Sequence, residues 1–272
     1  LLFNEFAILN SFRLPERATA CGWLPLYHDM GLIGFVVYAI FGGCHMHLMS
    51  PISFIKKPFR WLKLVSDTRA VATGGPNFAY ELCTRKISAA QAAQLDLACL
   101  ALLFSGAEPV RAATIDNFLY KFAPCGLART AFMPVYGLAE ATLLVAGHRL
   151  RTVPRVSYFR AADLERLRAV PALCAGADAR PLTSCGTNTS GPAYPLRVVD
   201  PATCVPCPDG VVGEVWISGP TVAAGYYKKP ELSRATFHAR LAGDGNDDGT
   251  EYLRSGDLGF FYDGTLYLAE IG

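Results

Sequence analysis

The sequence has little charge, and that charge is nearly balanced. Only 18% of the 272 residues are charged, and the formal net charge is +2. The chain has no run of Lys and Arg and no basic amphipathic helix, so nucleic acid and charged membrane surfaces are not expected as partners. Hydrophobic residues make up 51% of the chain, which is enough for the core of one large domain or two modest ones.

The sequence also lacks an apolar stretch long enough to cross a membrane. Its longest uncharged apolar run, Met30 to Cys44, is shorter than the ~20 residues that a spanning helix needs, and glycines interrupt it. We predict a buried helix that runs into a tight turn. No signal peptide is expected, because the residues from Leu1 onward have the character of a helix interior, which is typical of a piece of a longer chain.

The nine cysteines form neither a disulfide framework nor a zinc motif. They are scattered and odd in number, which favours reduced, buried thiols in a cytoplasmic protein. Cys204 and Cys207 are the only close pair, and no second pair of ligands stands at a suitable spacing for zinc. We therefore interpret this pair as two incidental cysteines in a loop.

Helical and strand-like segments alternate over residues 1–148. An amphipathic helix is predicted over 50–67, and a short strand with a glycine turn leads to a second helix over 76–87. A buried strand precedes a helix over 111–121, and residues 130–143 repeat this strand-loop-helix step. The alternation predicts a layered α/β/α subdomain with a mostly parallel sheet, in which ligands bind at the carboxyl ends of the strands.

The rest of the chain has a different character. Residues 149–182 are rich in Arg, Ala and Pro and are interpreted as an insertion or linker. Over residues 183–272, turns such as PDG and YDG separate strand-like segments, which predicts a small antiparallel β-barrel-like subdomain or sheet. The expected fold class is therefore α/β, with a parallel part followed by an antiparallel part.

Two loops at predicted strand ends carry residues suited to a nucleotide. In SGAEPV, the small residues Ser105, Gly106 and Ala107 allow a flat ring or a phosphate to approach the backbone, although such loops often hold glycine for geometry alone. In YGLAE, Tyr136 offers an aromatic face and Glu140 an oxygen ligand for Mg²⁺, which is commonly held by one or two carboxylates plus phosphates. Alternatively, Glu140 lies in the first turn of a helix and interacts with its dipole.

A third loop, RSGDLG, contains Asp257 between Gly256 and Leu258. A carboxylate in such a turn can accept hydrogen bonds from both hydroxyls of a ribose. The alternative is an Asx turn, which is common for Gly-Asp in a hairpin. Taken singly, none of the three loops decides between a functional and a structural role.

The flanking motifs carry a family resemblance. GEVWISGPTVAAGYYKKPELSRATF, followed by YLRSGDLGFFYDGTLYL, closely resembles the adenylate-forming superfamily of acyl- and aryl-activating enzymes. Within it, LPLYHDMGLIGF, GGPNFAYEL, LFSGAEPV, FMPVYGLAEATL and VDPATCVPCPDGVVGEVW are similar to the fatty acyl-AMP ligases, which activate fatty acids for polyketide and lipopeptide assembly. The resemblance covers essentially the whole chain, in the right order.

The resemblance implies a role for each motif. Glu140 corresponds to the Mg²⁺-linked acid and is a candidate catalytic residue together with His28. Without the resemblance, His28 would be interpreted as a satisfied core histidine. The implied ATP- and adenylate-binding residues are Ser105, Gly106, Ala107, Glu108, Tyr136, Gly137, Leu138, Ala139 and Asp257. The implied acyl-binding residues are His28, Asp29, Met30, Gly31, Asn77, Phe78 and Met133. Helix capping and core packing explain Asn77 and Phe78 almost as well.

The reaction implied is fatty acid plus ATP giving acyl-AMP and pyrophosphate, followed by transfer to the phosphopantetheine thiol of an acyl carrier protein. In such a reaction the protein mainly positions the partners and neutralises phosphate charge. A fatty acyl-CoA ligase shares the first step, and a non-catalytic acyl- or nucleotide-binding module shares the fold. The family's phosphate loop and its C-terminal lysine domain are not among these residues, and Glu270-Ile271 stands where the family usually has Gly-Arg. Little activity is therefore expected from the chain alone.

The segment 149–182 corresponds to an insertion that in the resembled family is thought to restrict the C-terminal domain. The apolar candidates for docking the segment 149–182 are Phe159, Leu164 and Leu167. The alternative is a tolerated surface loop.

Overall fold

The structure, a computed structural model, describes residues 1–173, 175–243 and 249–269. Glu270 and Ile271, at the expected hinge, and Cys174 lie outside this part of the chain. The first half of the chain builds a parallel sheet with the strand order β2-β1-β3-β4-β5. The strands are β1 Thr19–Gly22, β2 His45–Leu48, β3 Ala72–Gly75, β4 Leu102–Ser105 and β5 Phe132–Gly137. The prediction of a mostly parallel sheet with intervening helices is confirmed.

The helices of this half pack against the sheet around a core that contains Trp61, Tyr80, Phe118 and Phe132. They are α1 Leu2–Phe12, α2 Asp29–Gly31, a π-helical turn Leu32–Val37, α3 Tyr38–Gly42, α4 Pro51–Lys56, α5 Phe59–Thr68, α6 Asn77–Lys86, α7 Ala89–Ala92 and α8 Ala112–Phe122. None of the described helices is long and apolar enough to span a bilayer.

The single helix predicted over 50–67 is wrong, because α4 and α5 are separate. Lys57 has an extended backbone, with φ −150° and ψ 86°. The ring of Pro58 disfavours a helical conformation at the preceding residue, so the first helix ends there and the second begins after it.

The apolar run Met30 to Cys44 is helical and ends in a tight turn, as predicted. Gly43 adopts a left-handed conformation, with φ 64°, and terminates α3. Burial is limited to one side of the helix: Phe35 and Tyr38 are buried, whereas Ile40 is 79% exposed. The expectation of a buried helix therefore holds for one face only.

The second half continues the same sheet with antiparallel strands, in the order β6-β8-β12-β11-β10-β9, and β7 pairs with β8. The elements are β6 Leu144–Gly147, β7 Val156–Arg160, α9 Ala161–Leu164, β8 Ala179–Asn188, β9 Leu196–Val199, β10 Gly213–Ile217, α10 Pro230–Phe237, β11 Leu253–Tyr262 and β12 Thr265–Leu268. The expected α/β fold class is confirmed. Among the described strands the path does not close, so the antiparallel part is an open sheet and not a barrel.

The helix predicted within 130–143 is absent. After β5 the chain makes a 3₁₀ turn, Ala139–Ala141, and enters β6. Thr142 has φ 72° and ψ −66°, and the Leu143 N–H donates to Ala141 O at 3.0 Å. These values describe a γ-turn, a strained conformation that no helix can include.

The apolar residues of the segment 149–182 pack inward. Phe159 and Leu164 are 0% and 1% exposed and share a small core with Phe260 and Tyr267. Phe159 and Leu164 therefore dock the segment against Phe260 of β11 and Tyr267 of β12. Leu167 is 46% exposed and remains the only one of the three candidates at the surface.

The cysteines in the described part of the chain are free thiols, as predicted. Cys21, Cys83, Cys125 and Cys185 are buried, and burial raises the pKa of the Cys21 thiol to about 11. Within the same residues, no group of three or more His, Cys, Asp or Glu side chains could hold a metal ion.

Candidate functional site

A cavity of about 470 Å³ lies at the carboxyl ends of β4 and β5. Ligands bind at this edge in parallel sheets. The cavity brings together the three loops singled out in the sequence and the His-Asp-Met motif before them. The lining residues are Ile8, Phe12, Tyr27, His28, Asp29, Met30, Gly34, Phe104, Gly106, Ala107, Val135, Tyr136, Gly137, Leu138, Ala139, Leu143, Leu144 and Asp257.

A hydrogen bond joins β5 and β11, which are far apart in the chain. The Tyr136 hydroxyl donates to Asp257 Oδ2 at 2.8 Å. Burial of the phenol and the negative charge of Asp257 raise the pKa of Tyr136, so this side chain stays a donor. Asp257 lies within β11, so the predicted turn between strands at this residue is wrong, and its carboxylate is held by Tyr136 and not by an Asx turn.

Two glycines allow the backbone segments around the cavity to approach one another. A Cβ at Gly137 would lie 1.7 Å from Leu143 O, and a Cβ at Gly106 would lie 2.9 Å from Val135 Cγ2. Both glycines are therefore required by local packing, whether or not a ligand is bound. Ala107, with φ 65°, turns the chain away directly after Gly106.

The 3₁₀ turn that carries Glu140 is held by the segment Thr221–Tyr226, which follows β10. The Tyr226 hydroxyl donates to Glu140 Oε1 at 2.7 Å, and the Ala223 N–H donates to Glu140 O at 2.8 Å. The Thr142 hydroxyl donates to Thr221 O at 2.6 Å. Because Glu140 lies in an isolated turn, the helix-dipole explanation for it is wrong. Its carboxylate is oriented by Tyr226, a residue that sequence reasoning missed.

The cavity wall has a polar part and an apolar part, which come from different elements. The polar groups are the Tyr136–Asp257 pair and His28 with Asp29. The apolar wall is formed by α1, the π-helical turn, β4 and the start of β6. Its side chains are Ile8, Phe12, Phe104, Leu143 and Leu144, together with Gly34. A ligand with a charged, hydrogen-bonding part and an aliphatic part matches this division.

Residues 2–227 match the family model described as AMP-binding enzyme. The chain belongs to this family. The medium-chain-fatty-acid–[acyl-carrier-protein] ligase TtuA of Teredinibacter turnerae is 41% identical over 272 residues, covering 98% of this chain and 42% of that protein. The putative fatty-acid–CoA ligase FadD21 of Mycobacterium tuberculosis is 39% identical over 270 residues, covering 98% of this chain and 46% of that protein.

A solved fatty acyl-adenylate ligase from Legionella pneumophila, in complex with acyl adenylate and pyrophosphate, has a TM-score of 0.92 and 36% identity. The match covers 98% of this chain and 46% of that one. The chain thus spans less than half the length of the relatives it matches. The resemblance to adenylate-forming enzymes found in the sequence is confirmed.

His28 is not a core histidine. In this member of the AMP-binding family its side chain is 45% exposed and lines the cavity. It caps the short helix α2, where the Met30 N–H lies 3.2 Å from His28 Nδ1 and 2.7 Å from Asp29 Oδ1. His28 Nδ1 is also 2.6 Å from Asp29 Oδ1, so the two side chains form an ion pair when the imidazole is protonated.

Two predicted nucleotide residues of this AMP-binding chain lie outside the cavity wall. Ser105 is fully buried, and its hydroxyl has no hydrogen-bond partner among the described atoms. Glu108 Oε1 accepts a hydrogen bond from the Phe78 N–H at 2.6 Å, at the start of α6. Glu108 also lines a second cavity, of about 540 Å³, between the start of α8 and β8. A role for these two residues at the first cavity remains a prediction.

Four predicted acyl residues also lie outside the wall. Asn77 donates to Glu81 Oε1 at 3.0 Å and accepts from the Arg111 N–H at 3.0 Å, so it ties α6 to the start of α8. Phe78 is 41% exposed, which differs from the core packing considered for it. Met133 is buried in the core, and a Cβ at Gly31 would lie 2.2 Å from Pro25 O.

Glu140 does not line the cavity either, but its environment fits a single carboxylate ligand. Mg²⁺ in nucleotide enzymes needs only one or two protein carboxylates, because phosphates supply the remaining oxygens. The bond from Tyr226 raises the pKa of the Tyr226 phenol and holds one oxygen of Glu140. The carboxylate of Glu140 is therefore chemically suited to bind Mg²⁺ together with phosphate oxygens.

Proposed function

We propose that the protein containing this chain activates a fatty acid with ATP, giving acyl-adenylate and pyrophosphate. The acyl group then passes to the phosphopantetheine thiol of an acyl carrier protein. The observation that supports this most is the single cavity in which the Tyr136–Asp257 pair lies near a wall of aliphatic and aromatic side chains. An acyl-adenylate has the same two chemical parts. Free thiols in the described chain are typical of the cytoplasm, where we expect the protein to act.

The residues of the cavity have distinct roles in this proposal. Asp257 accepts hydrogen bonds from the ribose hydroxyls, and Tyr136 fixes its orientation. The small loop residues Gly106 and Ala107 leave room for the adenine beside the ring of Tyr136. His28, which lines the same cavity, contacts the reacting carboxylate.

The chemical step is attack of the fatty acid carboxylate oxygen on the α-phosphorus of ATP. A new O–P bond forms and pyrophosphate leaves with the electrons of the broken P–O bond, so the protein's part is alignment and charge neutralisation. Mg²⁺, when bound, supplies positive charge to the phosphates, and Glu140 is the residue expected to hold it.

Fatty-acid-dependent ATP–pyrophosphate exchange tests the proposal. We expect exchange from the complete gene product that encodes these residues. We expect none from the 272-residue chain alone, because the resembled family places a phosphate loop and an adenylation lysine elsewhere. Absence of exchange from the complete product at all fatty acid lengths would overturn the proposal.

A fatty acyl-CoA ligase is the second candidate, because FadD21 carries that name at 39% identity. The two functions differ in the thiol that accepts the acyl group. We expect acyl transfer from the complete protein to a holo acyl carrier protein and none to CoA. Formation of acyl-CoA at a comparable rate would favour the second candidate.

A further inference from the structure

The apolar part of the cavity wall includes an aromatic ring on β4. Phe104, on β4, lines the cavity and is only 7% exposed. Its ring stacks on Phe12 of α1, with centroids 6.3 Å apart and planes at 10°. It also contacts Phe35 of the π-helical turn, at a centroid distance of 5.6 Å. The three rings join the helical and strand walls of the cavity.

Glycines on two neighbouring strands make room for these rings. Gly74 of β3 stands next to Phe104 in the sheet register, and a Cβ on Gly74 would lie 2.4 Å from the Phe104 ring. A Cβ on Gly22 of β1 would similarly lie 2.9 Å from the Phe35 ring. The rings of Phe104 and Phe35 therefore occupy the space next to Gly74 and Gly22 where side chains would otherwise lie.

We propose that Phe104 limits the length of the acyl chain that the cavity accepts. A smaller side chain at this position would open the cavity over Gly74 towards Phe35. This inference rests on the proposed function, because it assigns the apolar part of the cavity wall to the aliphatic part of the substrate.

Close contacts hold α1, the π-helical turn and β6 in place at the apolar part of the cavity wall. Asn4 binds the backbone of Leu144 through two hydrogen bonds, of 2.8 and 3.1 Å, and so holds α1 against β6. A Cβ at Gly34 would lie 3.2 Å from Leu143 Cδ2, so there is little spare width between the π-helical turn and β6. The Phe104 ring is the part whose removal adds depth without moving backbone.

The test measures binding of octanoyl, dodecanoyl and hexadecanoyl sulfamoyl adenosine to the complete gene product by calorimetry. The affinity ratio of the hexadecanoyl to the octanoyl probe is the readout. Each additional buried methylene is worth about 0.8 kcal/mol, or about fourfold in affinity. We expect Phe104→Ala to raise the ratio at least about tenfold, and Phe104→Leu to raise it about fourfold. The leucine variant serves if the alanine variant fails to fold.

Two matched variants separate cavity depth from a general loss of packing. Phe118→Leu removes a comparable ring from the core outside the cavity, and it should leave the ratio unchanged. Gly34→Ala adds a methyl group to the cavity wall and should lower the ratio several-fold. An unchanged ratio in both Phe104 variants, or an equal shift in Phe118→Leu, overturns the inference and leaves the proposed function standing. If the wild-type protein binds none of the three probes, the proposed function fails as well.

Discussion

The cavity and the insertion segment differ in how they use residues that the sequence marked as functional. Around the cavity, side chains from separate loops converge on one space, and Asp257 reaches it from β11, far along the chain. In the insertion segment, Phe159 and Leu164 turn away from the surface and build a local core with Phe260 and Tyr267. One region presents its marked residues and the other buries them.

The difference shows how far residue type can be trusted. Asp257 faces the cavity from within β11, whereas Ser105, at the end of β4, is fully buried. An apolar residue in an irregular segment is satisfied by any nearby core. Ligand roles for polar loop residues and docking roles for apolar residues therefore both depend on where the fold places the side chains, as the buried Ser105 shows.

The largest expected effect is a loss of stability from a substitution in the small core of the segment 149–182, away from the cavity. Phe159 is fully buried against three aromatic rings, Phe260, Tyr262 and Tyr267. Phe159→Ala should lower the free energy of unfolding by about 3–5 kcal/mol, because it removes these contacts and leaves a cavity. Urea denaturation measures this.

Binding of acyl sulfamoyl adenosine to folded Phe159→Ala should match that of the wild type. Weakened binding without loss of stability would mean that the insertion acts on the cavity, and the contrast between the two regions would be lost.

The next largest effect is a loss of binding with little loss of stability. Asp257→Asn keeps the shape of the side chain but removes its charge, and hydrogen bonds to charged groups contribute about 1.5–3 kcal/mol. We expect affinity for acyl sulfamoyl adenosine, measured by calorimetry, to fall about 10- to 100-fold, with less than about 1 kcal/mol lost in stability.

Asp263→Asn is the control for the charge change at Asp257. Asp263 lies beyond β11, in the turn before β12, where it pairs with Arg155 at 2.7 Å. This variant should bind as the wild type does. Equal loss of affinity in both variants would indicate a general effect of charge and not a contact with ribose.

The smallest expected effect is a change in the Mg²⁺ requirement at Glu140, which lies outside the cavity wall. Tyr226→Phe removes the 2.7 Å hydrogen bond to Glu140. Loss of one such bond is worth about 1 kcal/mol, so the Mg²⁺ concentration for half-maximal pyrophosphate exchange should rise about fivefold. Tyr227→Phe, at an 85% exposed neighbour, is the control and should change nothing. An unaltered Mg²⁺ requirement in Tyr226→Phe would remove Tyr226 from the positioning of Glu140.

Local signals predict the parallel sheet and several residues of the cavity wall. Hydrophobic runs ending in glycine loops mark strand ends, and strand ends in a parallel sheet share one edge, so Gly106, Tyr136 and Gly137 were found together. The break at Pro58 was also legible in the sequence, but the amphipathic spacing on both sides of it outweighed the proline.

The remainder depends on contacts that no local pattern encodes. The γ-turn at Thr142 replaced a predicted helix because the chain must return as β6 to pair with β5. Glu140 meets Tyr226 across 86 positions of sequence, and Asn77 meets Arg111 across 34. The tertiary fold decides which polar groups form hydrogen bonds with each other, so the sequence alone does not identify these partners.

The hydrogen bond between Tyr136 and Asp257 also has a consequence in time. Its partners are 121 positions apart. At a synthesis rate of roughly 5–20 residues per second, on the order of 10 s pass between the emergence of the two side chains. The parallel sheet can form in that interval with the phenol of Tyr136 unpaired, so the cavity would lack the carboxylate of Asp257 until β11 is made.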